Sequence, residues 1–436
     1  LAVAQHVGEV LQVGIGRPVV LVDERQRRLF LVREGPTNLD TQFLRPLHQR
    51  VHHAIDLLDS SGAGELDAEA LRKRMYAMGV SIDFRCRANT TEIVVSGPEA
   101  SLAEATQLLR DWLSQPNFDE ATVSELLANT LSYRKDLMSD KRAMQMALNE
   151  YGFFGTRSSF LLYPDNKALR RAKGKALRKE LSRLLESQHR TLYYGPTVLA
   201  EVQSAITLGG GSVKVKARDP IVHRKVSEPT VYFMHKAMAQ VSVRTYWPNA
   251  PLPEEDQGEV HIFSEVVGGM AGLIFQEMRE ARGLVYGASV WVAEGDRPQD
   301  ESALVSAFDT QADKFPDAAK TMLELLREPT DTTRLRTARV ANDEYYRGMR
   351  VSPRSLPRWV DSWDLMHYKS DPRPGWWKQS QETKAEEVDA FTKRYLEQTP
   401  IVCVIGDRER VDPAALASLG KVIEVTPEEA FGFGAF

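Results

Sequence analysis

GGMAGLIFQEMREARGLVYGASVWV, residues 268–292, changes its hydrophobic period once and so marks where a helix gives way to a strand. In its first part Met270, Leu273, Ile274, Glu277 and Met278 recur on one helical stripe, with Glu277, Arg279, Glu280 and Arg282 gathering charge at the end. Gly283 then breaks the helix. Beyond it Leu284, Tyr286, Ala288, Val290 and Val292 alternate as strand residues do. With the backbone already extended at the break, Arg282, Leu284 and Tyr286 share one parity. A guanidinium and a phenol hydroxyl then project to the same side, one strand pitch apart. This pair is the strongest candidate for chemistry in the chain.

Working outward, the same order of elements occurs twice. In the first half, strands are predicted at 18–22 and 28–32 and a helix at 46–59, whose apolar face is Leu47, Val51, Ala54, Ile55 and Leu58. A second helix, 67–78, stops at Gly79, and strands 80–87 and 91–96 flank a turn at Asn89 and Thr90. Helices follow at 99–114, 119–137, 141–152 and 176–189, then a buried strand at 190–194. In the second half, strands 230–235 and 239–246 precede a helix at 256–281 and strands 284–294 and 302–309. Helices at 313–328, 331–348 and 385–396 and a closing strand at 401–405 complete it. The halves correspond at an offset of roughly 205 residues, a domain duplication and not a solenoid period. The fold class is therefore α+β: two homologous domains, each an antiparallel sheet with helices packed on one face. The expected division is 1–207, a linker at 208–229 broken by Gly209, Gly210, Gly211 and Pro220, and 230–436.

Composition narrows the function classes. The chain has 436 residues, 42% hydrophobic and 27% charged, which suits a soluble globular protein of two or more domains. A net charge of −4 speaks against a general nucleic-acid binder and gives no membrane-surface signal. The basic residues Lys214, Lys216, Arg218, His223, Arg224 and Lys225 have no interleaved aromatics and read as a solvated linker. Cys86 and Cys403 lie in apolar strand-like runs and read as buried thiols, which fixes no compartment. No apolar run reaches spanning length and no signal pattern is visible. The first residue, Leu1, suggests a processed chain or a piece of a longer one.

The stretch 268–290 resembles the pitrilysin/insulinase metallopeptidases, the inverted zincins. In that family a Gly-Gly-Met helix leads into F-Q-E-x-R-E-x-R-x-L-x-Y. The likeness covers nearly the whole chain and includes GAGELDAEALRKRMYAMG at 62–79, TLYYGP at 191–196, DTQADK at 309–314 and residues 405–407. The phrasing is most similar to the C-terminal half of the long, single-chain bacterial members. Those carry four homologous α+β domains as two clamshell halves, so the resemblance implies that this chain supplies one half.

The family's chemistry rests on H-x-x-E-H, in which two histidines and a distal Glu bind zinc and the inner Glu activates water. Aligned by the following glycine, that motif falls on His53, Ala54, Ile55, Asp56 and Leu57. The inner Glu is shortened to Asp56, the second His is Leu57, and the distal Glu falls near Leu127 and Ala128, with Glu125 the nearest carboxylate. His48 and His52 are spaced i, i+4, but Val51 would then stand in the base position and takes no proton. His261 and Glu265 share a helix face without a second His. Isolated pairs of this kind read as surface or capping features, so no zinc is expected in this chain.

By the resemblance, Arg282 and Tyr286 are the catalytic and substrate-binding residues. They hold the substrate backbone and support the oxyanion for a zinc site in the other half. The physics agrees: a guanidinium stays charged at neutral pH and a phenol donates a hydrogen bond, so both favour negative charge developing on oxygen. The expected partners are a zinc-bearing homologous half or subunit and an unfolded peptide substrate, with no nucleic acid and no membrane span. The rival reading is a catalytically inactive scaffold homologue in a larger complex. Gly268 and Gly269 lack P-loop spacing and read as close helix packing. Trp359, Trp363, Trp376 and Trp377 read as core and interdomain packing.

Overall fold

The computed structural model describes residues 19–21, 28–34, 54–86, 90–206, 208, 211, 213 and 219–436. Two mixed sheets organise them. The first takes β1 (Val19–Leu21), β2 (Arg28–Glu34), β3 (Ser81–Cys86), β4 (Thr90–Ser96) and β5 (Arg190–Tyr194) in the order β1-β5-β2-β4-β3. The second takes β6 (Thr230–His235), β7 (Gln240–Asn249), β8 (Val285–Ala293), β9 (Ser302–Gln311), β10 (Ile401–Gly406) and β11 (Lys421–Glu424) in the order β8-β9-β7-β10-β6-β11. The class is α+β. Antiparallel pairing holds through both centres, while β1–β5, β6–β10 and β6–β11 run parallel.

Each sheet buries one face against helices of its own half. Ile93, Val95 and Tyr193 pack with Leu109, Trp112 and Leu181 in the first, and Val231, Phe233, Val243 and Val404 with Phe263, Met278, Phe315 and Phe391 in the second. Local signals set these helices. Asp67 caps Ala68–Met78 by accepting from Ala70 N, and Gly79 closes it at φ +64°. Asp119 and Asp140 cap two later helices, Glu120–Leu137 and Lys141–Phe154, in the same way.

The opposite faces are covered too, against the expectation of helices on one face, and each by a helix from the other half. Helix α1 (Lys141–Phe154) lays Ala143, Met144, Ala147, Leu148 and Phe153 on the back of the second sheet, against Tyr232, Met234, Tyr246, Val305 and Cys403. Helix α2 (Leu356–Leu365) lies on β1 and β5 of the first sheet, joined by Arg358–Glu92 and by Arg190–Asp361 at 2.8 Å. The alternation along β6 and β10 explains why two covers are needed. Val231, Phe233, Val402 and Val404 point one way and Tyr232, Met234, Ile401, Cys403 and Ile405 the other, all apolar.

Several expectations change. The helix predicted at 256–281 is interrupted: Gln257–Phe263 passes into a π-helical turn, Ser264–Gly268, breaks at 269–272, and resumes as Leu273–Phe275 and a second π-turn, Gln276–Ala281. Met270 falls in the break and is 75% exposed instead of lining the apolar stripe. The run Glu254–Ala281 is long and apolar enough to cross a membrane by length and composition alone. Its Val260, Ile262, Phe263, Val266, Val267, Leu273, Ile274 and Met278 are buried in this chain's own second core.

The connector is not simply solvated. His223 is 3% exposed and stacks on Phe153 at 3.9 Å, and Arg224 lies between the rings of Tyr151 and Tyr232. Lys214, Lys216 and Arg218 lie outside the described residues. Two further helices, Leu356–Leu365 and Arg373–Glu382, fill the span between 348 and 385, each with a proline in its first turn, where proline suits a helix start. Cys403 is a buried thiol and Cys86 a partly buried one.

Candidate functional site

The site grows from the end of the second π-turn. Gly283 N donates to Arg279 O at 3.1 Å and Leu284 N to Met278 O at 2.8 Å, closing the helix. Gly283 turns the chain at φ +56°, a left-handed conformation that suits glycine. Thr310 Oγ1 then donates to Leu284 O at 2.6 Å, and Lys314 Nζ to Gly283 O at 2.9 Å, fixing the turn beside β9. π-Helical turns are rare and often mark functional positions. This one delivers Arg282 to the protein surface.

Arg282 therefore closes a helix and is not the first residue of a strand, so the shared parity with Tyr286 does not arise as expected. Tyr286 faces out for a different reason. Val285 pairs with Thr310 and Gly287 with Asp309, leaving Tyr286 as the extra residue of a β-bulge. Without it, Tyr286 would follow the inward register of Ala288, Val290 and Val292. The one-residue slip buries Val285 in the core and leaves Tyr286 58% exposed. Gln311 Nε2 approaches the phenol oxygen at 3.5 Å.

The electrostatics favour an anion. Arg282 Nε lies 3.6 Å from Glu277 Oε2, and Arg334 Nη2 lies 3.9 Å from Glu277 Oε1. Two guanidinium groups thus share the Glu277 carboxylate, while the neighbouring Glu280 is paired with Arg279. Neither Arg334 nor Lys314 was picked out as a site residue. Lys314 was at hand in the DTQADK phrase, whereas Arg334 sits in a helix with no local sign of its partner. No hydrogen bond joins Arg282 to Tyr286 among the described residues.

Of the zinc-motif positions among the described residues, Leu57 and Leu127 carry side chains that bind no metal. Leu57 is fully buried in the first core, Leu127 is buried with it, and Glu125 and Ala128 face solvent on Glu120–Leu137. His48, His52 and His53 lie outside the described residues. Among the described residues no group of three His, Cys, Asp or Glu side chains is placed to hold a metal ion. His261 is neither a surface nor a capping residue. It packs beside Trp376, Tyr346 Oη lies 3.1 Å from its Nε2, and burial pulls its pKa down to about 4. Burial also raises the pKa of Glu265.

The tryptophans serve packing. Arg373 stacks over Trp359 and Trp363, each at 5.3 Å, and Trp377 at the surface donates to Asp343 Oδ1 at 3.0 Å. Gly268 allows a close approach, since a Cβ there would meet the Val290 carbonyl oxygen at 2.1 Å.

Comparison with known proteins places this geometry in context. Residues 196–332 match the family model described as the peptidase M16 inactive domain. Comparison with curated proteins gives no match. Among solved structures, the chain is similar to a peptidase M16 inactive domain from Pseudomonas fluorescens, with TM-score 0.71 at 13% identity, covering 91% of this chain and 97% of that one. It is similar to the ferredoxin protease FusC, solved with Arabidopsis ferredoxin, with TM-score 0.71 at 11% identity over 90% of this chain and 44% of that one. It is also similar to the periplasmic protease PqqL of Escherichia coli, with TM-score 0.67 at 15% identity over 90% of this chain and 45% of that one. At these identities the likeness shows the fold. The chain spans slightly under half the length of FusC and PqqL.

Proposed function

Because the chain carries an M16 peptidase inactive domain across residues 196–332, we propose that it works as the non-zinc half of a zinc metallopeptidase. Its two units, 1–207 and 230–436, close on a zinc-bearing half or subunit, and the second unit holds an extended peptide along the start of β8. Arg282 and Tyr286 bind the substrate backbone and stabilise the oxyanion that develops on the scissile carbonyl.

The observation that carries this reading is the outward presentation of the pair. A helix end and a bulge turn a guanidinium and a phenol to solvent, the guanidinium sharing Glu277 with Arg334. An exposed phenol on a bulge is poorly explained by packing, and bulges commonly re-aim side chains at active sites.

The test reconstitutes the chain with its zinc-bearing partner and follows an unstructured fluorogenic peptide. Arg282→Ala and Tyr286→Phe each lower kcat/KM about tenfold or more, equivalent to about 1.4 kcal/mol of transition-state stabilisation. Size-exclusion chromatography shows assembly unchanged. Unaltered turnover in both variants sinks the assignment, and stable assembly with non-peptidase subunits alone favours the scaffold reading.

A further inference from the structure

Beyond Tyr286, the outer side of β8 presents a shallow floor between two aromatic rings. After the bulge, Gly287, Ser289 and Trp291 face away from the core that takes Ala288, Val290 and Val292. Gly287 is open: a Cβ built on it meets nothing within 4 Å. Trp291 is 39% exposed, so one face of its ring is open to a ligand. Behind it lies apolar ground, since Trp291 pairs with the fully buried Val305, which pairs in turn with Tyr246. No charged residue occurs anywhere on β8. From Gly287 to Trp291 the strand runs about 13 Å, so the floor of Gly287 and Ser289 separates the Tyr286 phenol from the Trp291 indole.

The geometry points to a side-chain subsite here, and it rests on the reading of Arg282 and Tyr286 as the substrate-holding pair. A peptide held at that pair lays one bulky apolar side chain, aromatic or branched aliphatic, on the Gly287–Ser289 floor against Trp291. The small floor residues give room and the indole gives a face to stack on, while Asp309, opposite Gly287 on β9, is already engaged by Ser242, Lys141 and Arg244. Trp291 and Gly287 thus determine specificity without touching the reacting atoms.

The test uses the reconstituted enzyme and a fluorogenic Gly/Ser host peptide carrying a single Phe scanned through successive positions. At one position Phe raises kcat/KM about tenfold over Gly, and Asp does not. Trp291→Ala removes that preference while leaving turnover of the all-Gly/Ser host within about twofold, and Trp291→Phe restores it. Gly287→Leu occupies the open floor, where an added Cβ meets nothing within 4 Å, and removes the preference as well. Arg282→Ala lowers Phe and host peptides equally, so its outcome reports on the oxyanion pair and not on the subsite. A scan with no preferred position, or a preference that survives both Trp291→Ala and Gly287→Leu, overturns the subsite. Association of the chain with itself through β8, lost in Trp291→Lys and blocking peptide turnover, overturns it equally.

Discussion

Strands β3 and β8 end their sheets at corresponding places, and their chemistry is opposite. β3 has six residues and puts Asp83 and Arg85 on exposed alternate positions. β8 has nine residues and no charge, with Tyr286 and Trp291 exposed. Charged side chains are a common guard against unwanted strand pairing, and a long uncharged edge strand is a surface left able to engage another chain. The backs of the sheets differ as well. The first meets its crossing helix through Arg358–Glu92 and Arg190–Asp361, while the second meets its own through an apolar seam. The first sheet is shielded and polar at its margins; the second is open at its β8 edge and apolar where it is covered.

The sharpest way to break this contrast is to overfill the dry seam. Gly152 of α1 lies so near β10 that a Cβ would meet Cys403 Sγ at 2.5 Å and Tyr232 Cδ2 at 3.2 Å. Gly152→Leu should destabilise by about 3 kcal/mol or more, read as a shifted urea midpoint. A shift below about 1 kcal/mol would mean that α1 can lift from the sheet without loss.

Acid probes the same seam more gently. Burial holds His223, stacked on Phe153, down to about 4, with Glu301, Asp300, Lys225 and Arg157 as its charged neighbours. A histidine lowered in the folded state gives stability that is complete above its ordinary value near 6.5 and is lost as pH falls toward 4. Glu259, Glu265 and Glu294 are raised by burial and act in the opposite sense, their contribution fading as pH rises above the ordinary carboxylate value. The difference between parent and His223→Phe isolates the histidine. Between pH 6.5 and 4.5 the parent should lose on the order of 1–2 kcal/mol more than the variant. Parallel stability curves would refute a buried neutral imidazole.

The smallest effect on stability belongs to the guarded edge. Replacing Asp83 and Arg85 together by Ser should change unfolding free energy by only about 0.5 kcal/mol, since both are exposed. It should nonetheless raise light scattering at concentrations where the parent stays clear. Unchanged scattering would show that these charges guard nothing.

Much of this was legible from residue order. Gly79 and Gly283 ended their helices where chirality and period said they should, and the duplicated order of elements gave the α+β class. Other features depend on contacts that periodicity does not carry. Apolar runs such as 401–405 say that both faces of a strand are covered, yet not by which helix. The bulge at Tyr286 leaves no mark in alternation, because Leu284, Tyr286 and Ala288 read as an unbroken set. Met270 matched a helix face that the glycines on either side, Gly269 and Gly272, dissolve. The exposure of the pair arises through a different backbone from the extended one expected at Arg282: a π-turn presents Arg282 and a bulge presents Tyr286.

The exchanged helices have a practical corollary. Severing the polypeptide at the connector would not release two tidy modules. It would strip α1 from the back of the second sheet and α2 from the first, baring Ile401, Cys403 and Ile405 on one fragment and the Glu92 carboxylate on the other. Each piece alone would be a half-clothed, adhesive remnant, so the two are expected to fold stably only together.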